Sequence, residues 1–145
     1  MASECLFCRI AEGRATAHVF FEDEASLAFL DRRPLFPGHA LLMPRKHYET
    51  LWDLPEADVA PLFRNARTLC RAVEEAMGAE GSFLAVNNRV SQSVPHLHVH
   101  VAPRRKKDGL RGFFWPRGKY HDEAEEDAVC EALRAAMQRL KTRAA

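Results

Sequence analysis

The stretch Pro95-His96-Leu97-His98-Val99-His100-Val101 gathers three of the chain's seven histidines into five positions. In an extended strand side chains alternate, so His96, His98 and His100 share one face, roughly 6.8 Å apart along the strand, and Leu97, Val99 and Val101 share the other. The apolar face can then join a core while three imidazoles line a cleft. Two chemistries use such a row. Neutral imidazoles are the commonest metal ligands, and His-x-His on a strand can give two of them to a catalytic zinc. Alternatively one imidazole, largely neutral near pH 7, attacks a phosphorus atom while its neighbours hydrogen-bond the phosphate oxygens. The attacking ring then needs its second nitrogen held as a donor, typically by a backbone carbonyl. Spacing alone does not choose between them.

The flanking residues favour phosphorus. Ser91-Gln92-Ser93-Val94 supplies an amide and hydroxyls directly before the row, groups able to bond phosphate oxygens or protonate a leaving group. A metalloenzyme would want a nearby acid, and the first carboxylate downstream is Asp108. A second constellation lies at Cys5 and Cys8, whose C-x-x-C spacing lets two thiolates grip one tetrahedral zinc, with two further ligands required. Cys70 and Cys130 fall on apolar helical stripes and are expected as small buried hydrophobes.

These groups need elements to position them. Cys5 to Glu12 reads as a short amphipathic helix ending at Gly13, and His18 to Asp23 with Ser26 to Asp31 as a hairpin. Ala40 to Met43 is a continuous apolar run, expected as a buried strand. Asp53, Pro55 and Glu56 suggest a helix start with Asp53 as cap, and Val59, Leu62, Phe63, Ala66, Leu69, Cys70, Val73 and Met77 carry the helical period to about Gly78. Phe83 to Asn87 reads as a strand, as does Leu97 to Val101, stopping at Pro103. A second helix, about Asp122 to Lys141, places Val129, Cys130, Leu133, Ala136, Met137 and Leu140 on one side. The order implies an α+β fold with a mostly antiparallel sheet and two main helices.

Composition bounds the function. At 145 residues, 47% hydrophobic and 28% charged, the chain is expected to be a single globular domain. Lys+Arg at 21 against Asp+Glu at 20 is too balanced for dedicated nucleic-acid binding. No apolar run approaches the span of about 20 residues that crosses a bilayer, and the first eight residues lack the pattern of a secretion signal. A cytoplasmic location, with reduced thiols, and no membrane partner are expected.

The block SQSVPHLHVHVAPR at Ser91 to Arg104, with CLFCRI at Cys5 to Ile10, AFLDRRPLFPGHALLMPRKH at Ala28 to His47 and AVNN at Ala85 to Asn88, closely resembles the histidine triad (HIT) superfamily, in particular its bacterial-type, Hint-like members. The resemblance implies one HIT domain over residues 1–145, with its core at 5–104 and a tail and helix at 105–145, usually paired as a homodimer. It implies a nucleotide hydrolase or nucleotidyl transferase that cleaves a purine nucleotide at its α-phosphate through a nucleotidyl-histidine intermediate, with no divalent cation required. By position, His98 would be the nucleophile. His100 and Ser93 would contact the α-phosphate or leaving group, Gln92 would lie beside the phosphates, and His39 would support the triad that His96 begins. Asn87 matches a phosphate-side asparagine and Asp31 an acid that holds the ribose. Leu6, Phe7, Ile10 and Phe29 match the apolar walls around the base. Some similar bacterial-type proteins complete a structural zinc site with residues that here are His47 and His96, joining Cys5 and Cys8.

Ser91 stands where a glycine is common, and Arg32 where the residue near the base is often apolar. Arg104-Arg105-Lys106-Lys107 is expected as a solvated loop and Phe113, Phe114 and Trp115 as packing, in the core or against a second subunit. Two other classes compete: a nucleotide- or partner-binding module with a structural zinc and little catalysis, and a zinc hydrolase using the triad as ligands. The leaving group, whether polyphosphate, phosphoramidate or sulfate, and the choice of adenine or guanine, stay open at this stage.

Overall fold

The structure, a computed structural model, describes residues 4–110 and 118–144, with side chains through residue 141. Its contacts separate two compact units, residues 1–108 and 109–145. The first begins with helix α1 (Leu6–Ala11), then strands β1 (Val19–Glu22), β2 (Ser26–Leu30) and β3 (Ala40–Pro44), a 3-10 turn at Leu51–Asp53, helix α2 (Glu56–Met77), and strands β4 (Gly81–Val86) and β5 (Val99–Arg104). The strands form one antiparallel sheet in the order β1-β2-β3-β5-β4.

Both faces of this sheet are covered, which explains why β3 reads as unbroken apolar sequence rather than an alternation. Ala28, Ala40, Leu42, Val99 and Val101 pack with Leu62, Ala66, Leu69 and Val73 of α2. Leu27, Phe29, Leu41 and Met43 pack on the opposite side with Phe7, Cys8 and Ile10 of α1. Each fully buried Leu or Val contributes about 1.5–3 kcal/mol, and Leu42, Val99 and Val101 are completely excluded from solvent. Because Leu97, Val99 and Val101 are committed to the α2 side, the histidines between them face α1.

Helix α2 ends where expected, at Gly78, whose φ of 58° and N–H bonds to the Glu74 and Glu75 carbonyls make a left-handed cap. Its start differs from the expected cap. Asp53 closes the 3-10 turn instead, accepting bonds from the Thr50 backbone N–H (2.9 Å) and hydroxyl (2.7 Å), and α2 begins after Pro55. Strand β5 also differs: it begins at Val99 rather than Leu97, so that His96 and His98 precede it, and it runs through Pro103 to Arg104. Its β3 register ends at Val101, so Pro103 has only Ser82 of β4 opposite and needs no donor for a second neighbour.

Helix α3 (Glu123–Ala144) belongs to the second unit. Val129, Leu133 and Met137 on its apolar stripe are exposed, and so is Cys130, which corrects its reading as a buried residue. Among the described residues of its unit, α3 has no second layer to cover that stripe. Cys70 is partly buried against the α2 core. Phe113, Phe114 and Trp115 lie outside the described residues. Among those described, no helix is long and apolar enough to cross a membrane.

Candidate functional site

The hydrogen bonds around the histidines assign their protons. His98 Nδ1 lies 2.7 Å from the backbone carbonyl of His96. A carbonyl only accepts, so Nδ1 carries the hydrogen and Nε2 keeps its lone pair. At the turn before β3, the Leu35 N–H donates to His39 Nδ1 at 3.0 Å, which leaves the ring hydrogen on His39 Nε2. That nitrogen is 3.0 Å from His100 Nδ1. His39 therefore donates and His100 accepts, so the His100 hydrogen sits on Nε2. One backbone amide thus fixes two rings in series. The outcome is an unprotonated nitrogen on His98 beside a donor on His100, with ring centroids 4.8 Å apart.

Burial keeps the rings uncharged. It lowers the pKa of His39 and His98, and takes His100 from 6.5 to about 4, with the neighbouring His98 and His39 adding to the effect. The Asp31 carboxylate works in the opposite direction on all three. Its Oδ2 is 3.7 Å from His39 Nε2, beyond hydrogen-bond length, and its Oδ1 accepts the Arg33 N–H at 2.9 Å. Asp31, His39 and His100 are close enough to suggest a metal site. The proton count argues otherwise, since a metal on His39 Nε2 would displace the hydrogen that the Leu35 N–H obliges that nitrogen to carry.

His98 and His100 open on a cavity of about 430 Å³ whose lining includes Leu6, Phe7, Ile10, Phe29, Asp31 and Ser93. Phe7 stands edge-on to Phe29 and to His98, at centroid distances of 5.2 and 5.0 Å. The cavity wall also includes Thr16, His18, Arg32 and Arg33, on the approach to β1 and on the bend after β2. Sequence reasoning gave none of these four a role, although Arg32 stood out as a departure from an apolar position. His39 is buried behind His100. Asn87, one residue beyond β4, does not line the cavity. Nor does Gln92, whose side chain is engaged by the Glu49 carbonyl (2.6 Å) and the Arg89 N–H (2.8 Å). Ser91 in that loop has φ 60°, a left-handed conformation that explains the preference for glycine. The basic run is occupied locally: Arg104 pairs with Asp108, Arg105 bonds the Met77 carbonyl and Lys106 lies 4.0 Å from Glu80.

His96 faces elsewhere and is fully buried. Its Nε2–H donates to the Pro44 carbonyl at 2.9 Å, so the Nδ1 lone pair points at sulfur, 3.6 Å from Cys5 Sγ and 3.5 Å from Cys8 Sγ. His47 Nδ1 is 3.3 Å from Cys8 Sγ. Together the four donors lie within 4.8 Å of one another. The sulfur–nitrogen edge of a tetrahedral zinc site is about 3.6 Å, given Zn–S of about 2.3 Å and Zn–N of about 2.1 Å. The donor set is chemically suited to zinc, and the Pro44 carbonyl orients His96 from outside. Burial, with Cys5 alongside, raises the Cys8 thiol to about 11; a bound dication would offset that cost by stabilising the thiolate. The group brings together three segments, α1, the residues after β3 and the approach to β5.

Comparison with known proteins sets this geometry in context. The HIT domain profile matches residues 12–107. An adenylylsulfatase of Arabidopsis thaliana, HINT3, is 34% identical over 76% of this chain, which covers 57% of that protein. An asymmetrical bis(5'-nucleosyl)-tetraphosphatase of Schizosaccharomyces pombe is 34% identical over 63% of this chain, which covers 52% of it. The chain thus spans little more than half of either hydrolase. Among solved structures, a zinc-bound histidine triad family protein of Mycobacterium smegmatis is 34% identical, covers 99% of both chains and has a TM-score of 0.71. With the domain profile spanning the sheet and the histidine row, this chain belongs to the HIT family.

Proposed function

We propose that this protein is a nucleotide hydrolase or nucleotidyl transferase acting at the α-phosphate of a purine nucleotide. The observation that carries the reading is the His98 tautomer, with Nδ1–H held by the His96 carbonyl and Nε2 unprotonated beside the cavity. The base lies among Leu6, Phe7, Ile10 and Phe29, and Asp31 holds the ribose. His98 Nε2 attacks phosphorus. The bond from phosphorus to the leaving group breaks, its electron pair goes to that group, and the group takes up a proton. Water then displaces His98, breaking the phosphorus–nitrogen bond, returning the electron pair to Nε2 and releasing a proton to solvent that balances the one the leaving group took up. The His100 Nε2–H and the Ser93 hydroxyl bond the phosphate oxygens or the departing atom. A fixed donor of this kind contributes about 2.7–4 kcal/mol of barrier lowering, and placing the reactants supplies much of the remainder. No divalent cation enters these steps. Gln92 and Asn87 are assigned to the phosphate side by the family resemblance alone, since neither lines the cavity.

Cys5, Cys8, His47 and His96 hold a zinc with a structural role, supported by their spacing and by the zinc-bound relative. A zinc held by these four protein donors would be structural, with no place left for a reacting water. His96 thus belongs to this centre as well as to the triad. The relatives support nucleotide chemistry; a homodimer in the cytoplasm, and one functional domain across residues 1–145, complete the proposal.

The test is turnover of adenosine 5'-phosphosulfate, diadenosine tetraphosphate and a purine nucleoside 5'-phosphoramidate by wild type and by His98→Ala, in magnesium-free buffer. At least one substrate is cleaved to the nucleoside monophosphate, and the variant loses about a thousandfold or more in kcat. Equal turnover in His98→Ala would overturn the assignment. Nucleotide binding with negligible wild-type turnover would favour a binding module.

A further inference from the structure

Contacts link the cavity lining in series. His98 and His100 stand with ring centroids 4.8 Å apart, and Asp31 lies against the same group, its Oδ2 3.7 Å from the His39 ring that bonds His100. Arg32 is the next residue in the chain, and its Nη2 donates at 3.2 Å to the carbonyl of Thr16, on the segment between α1 and β1. Thr16 lines the cavity together with Arg32. If phosphate sits at the histidines and ribose at Asp31, the next group of a nucleoside, its base, meets Arg32.

A guanidinium is an unusual partner for a base otherwise surrounded by Leu6, Phe7, Ile10 and Phe29. It carries five N–H donors and no acceptor, and the Thr16 carbonyl is the partner of Nη2 among the described residues. Guanine presents two acceptors on one edge, O6 and N7, which the planar fork of an arginine matches in a bidentate pair. Adenine presents N7 but carries an amino donor at the neighbouring position, which faces the guanidinium donor to donor. We infer that Arg32 is a specificity-determining residue that reads the O6/N7 edge of guanine and makes this a guanine-preferring site. The inference rests on the nucleotide orientation proposed above.

Two measurements separate its failure from failure of the proposed reaction. Calorimetric binding of GMP and AMP needs no turnover. Wild type binds GMP about fivefold to a hundredfold more tightly than AMP. Arg32→Leu removes the preference, and Arg32→Gln, whose amide pairs with the N6/N7 edge of adenine, moves it toward AMP. Arg32 is on an exposed bend, and the melting temperatures of both variants stay near that of wild type. Equal affinities in wild type, or an equal loss for both nucleotides in Arg32→Leu, as stacking on the base would give, overturn the inference. The same pair of purines is then presented as nucleoside 5'-phosphoramidates. Equal kcat/KM for the two sinks the guanine reading and leaves the reaction standing. A GMP preference with neither compound cleaved, and with no turnover of the phosphosulfate or the tetraphosphate either, keeps Arg32 as a base reader and sinks the reaction.

Discussion

At the scale of single residues, the chemistry turns on where three hydrogens sit. His39 does not line the cavity, yet its Nε2–H sets which nitrogen of His100 can donate. His39→Ala is therefore expected to lower kcat by about a hundredfold or more, with nucleotide affinity changed far less; a matching fall in affinity, read by calorimetry, would contradict a role confined to His100. Buried neutral imidazoles also bear on stability. The folded pKa of His100 is about 4 against an ordinary 6.5, so the unfolded chain takes up the proton first as pH falls. Stability is complete above about pH 6.5 and declines toward pH 4. Urea unfolding at pH 7 and pH 5 should show a smaller loss for His100→Gln than for wild type, and equal losses would argue that burial of this ring does not matter. The row of histidines was plain in the sequence, but spacing alone did not divide its labour; the expectation that His96 joins the cysteines came from the family resemblance. Period 2 puts His96 with His98 and His100, and only the tertiary approach of α1 and the Pro44 carbonyl diverts it toward Cys5 and Cys8.

The elements were legible to the extent that local pattern governs them. Alternation along the histidine row and into β5 follows from burial of Leu97, Val99 and Val101, and the helical period of α2 from Leu62, Ala66, Leu69 and Val73. The boundaries depended on partners far away in sequence. Thr50 claims Asp53 from the helix cap, and a missing β3 neighbour lets β5 continue through Pro103. The turn that carries His39 is similarly contextual. Gly38 has φ 97°, and a Cβ there would lie 2.5 Å from Met77 Cγ. The side chain of Met77 can give way, but the backbone conformation still penalises any L residue. Gly38→Ala should cost about 1–3 kcal/mol in thermal or urea unfolding, together with lower turnover as His39 shifts. Unchanged stability would show that the turn tolerates another conformation. Ser91, at φ 60°, predicts the opposite sign: Ser91→Gly relieves about 1 kcal/mol of backbone strain, partly offset by the entropy of glycine.

For the whole molecule, the sulfur and histidine cluster ties α1 to the sheet, and α1 supplies Leu6, Phe7 and Ile10 to the cavity wall. Loss of the proposed zinc is therefore expected to act on the fold first. Cys5→Ser is expected to retain less than one equivalent of zinc by elemental analysis and to melt at least about 5 °C lower, with a rise in KM. Abrupt loss of kcat on chelation, with the fold intact, would instead point to a metal in the chemistry. The C-terminal unit was the least legible part, because the apolar stripe of α3 says only that something covers it, not what. Sedimentation of the intact chain is expected to give a dimer. The proposed reaction requires one imidazole to become covalently nucleotidylated. Wild-type protein mixed with substrate, quenched in base and digested should yield, by mass spectrometry, a nucleotidyl adduct on the peptide at His98 and none in His98→Ala. Active turnover with no adduct, or an adduct at another residue, would contradict it.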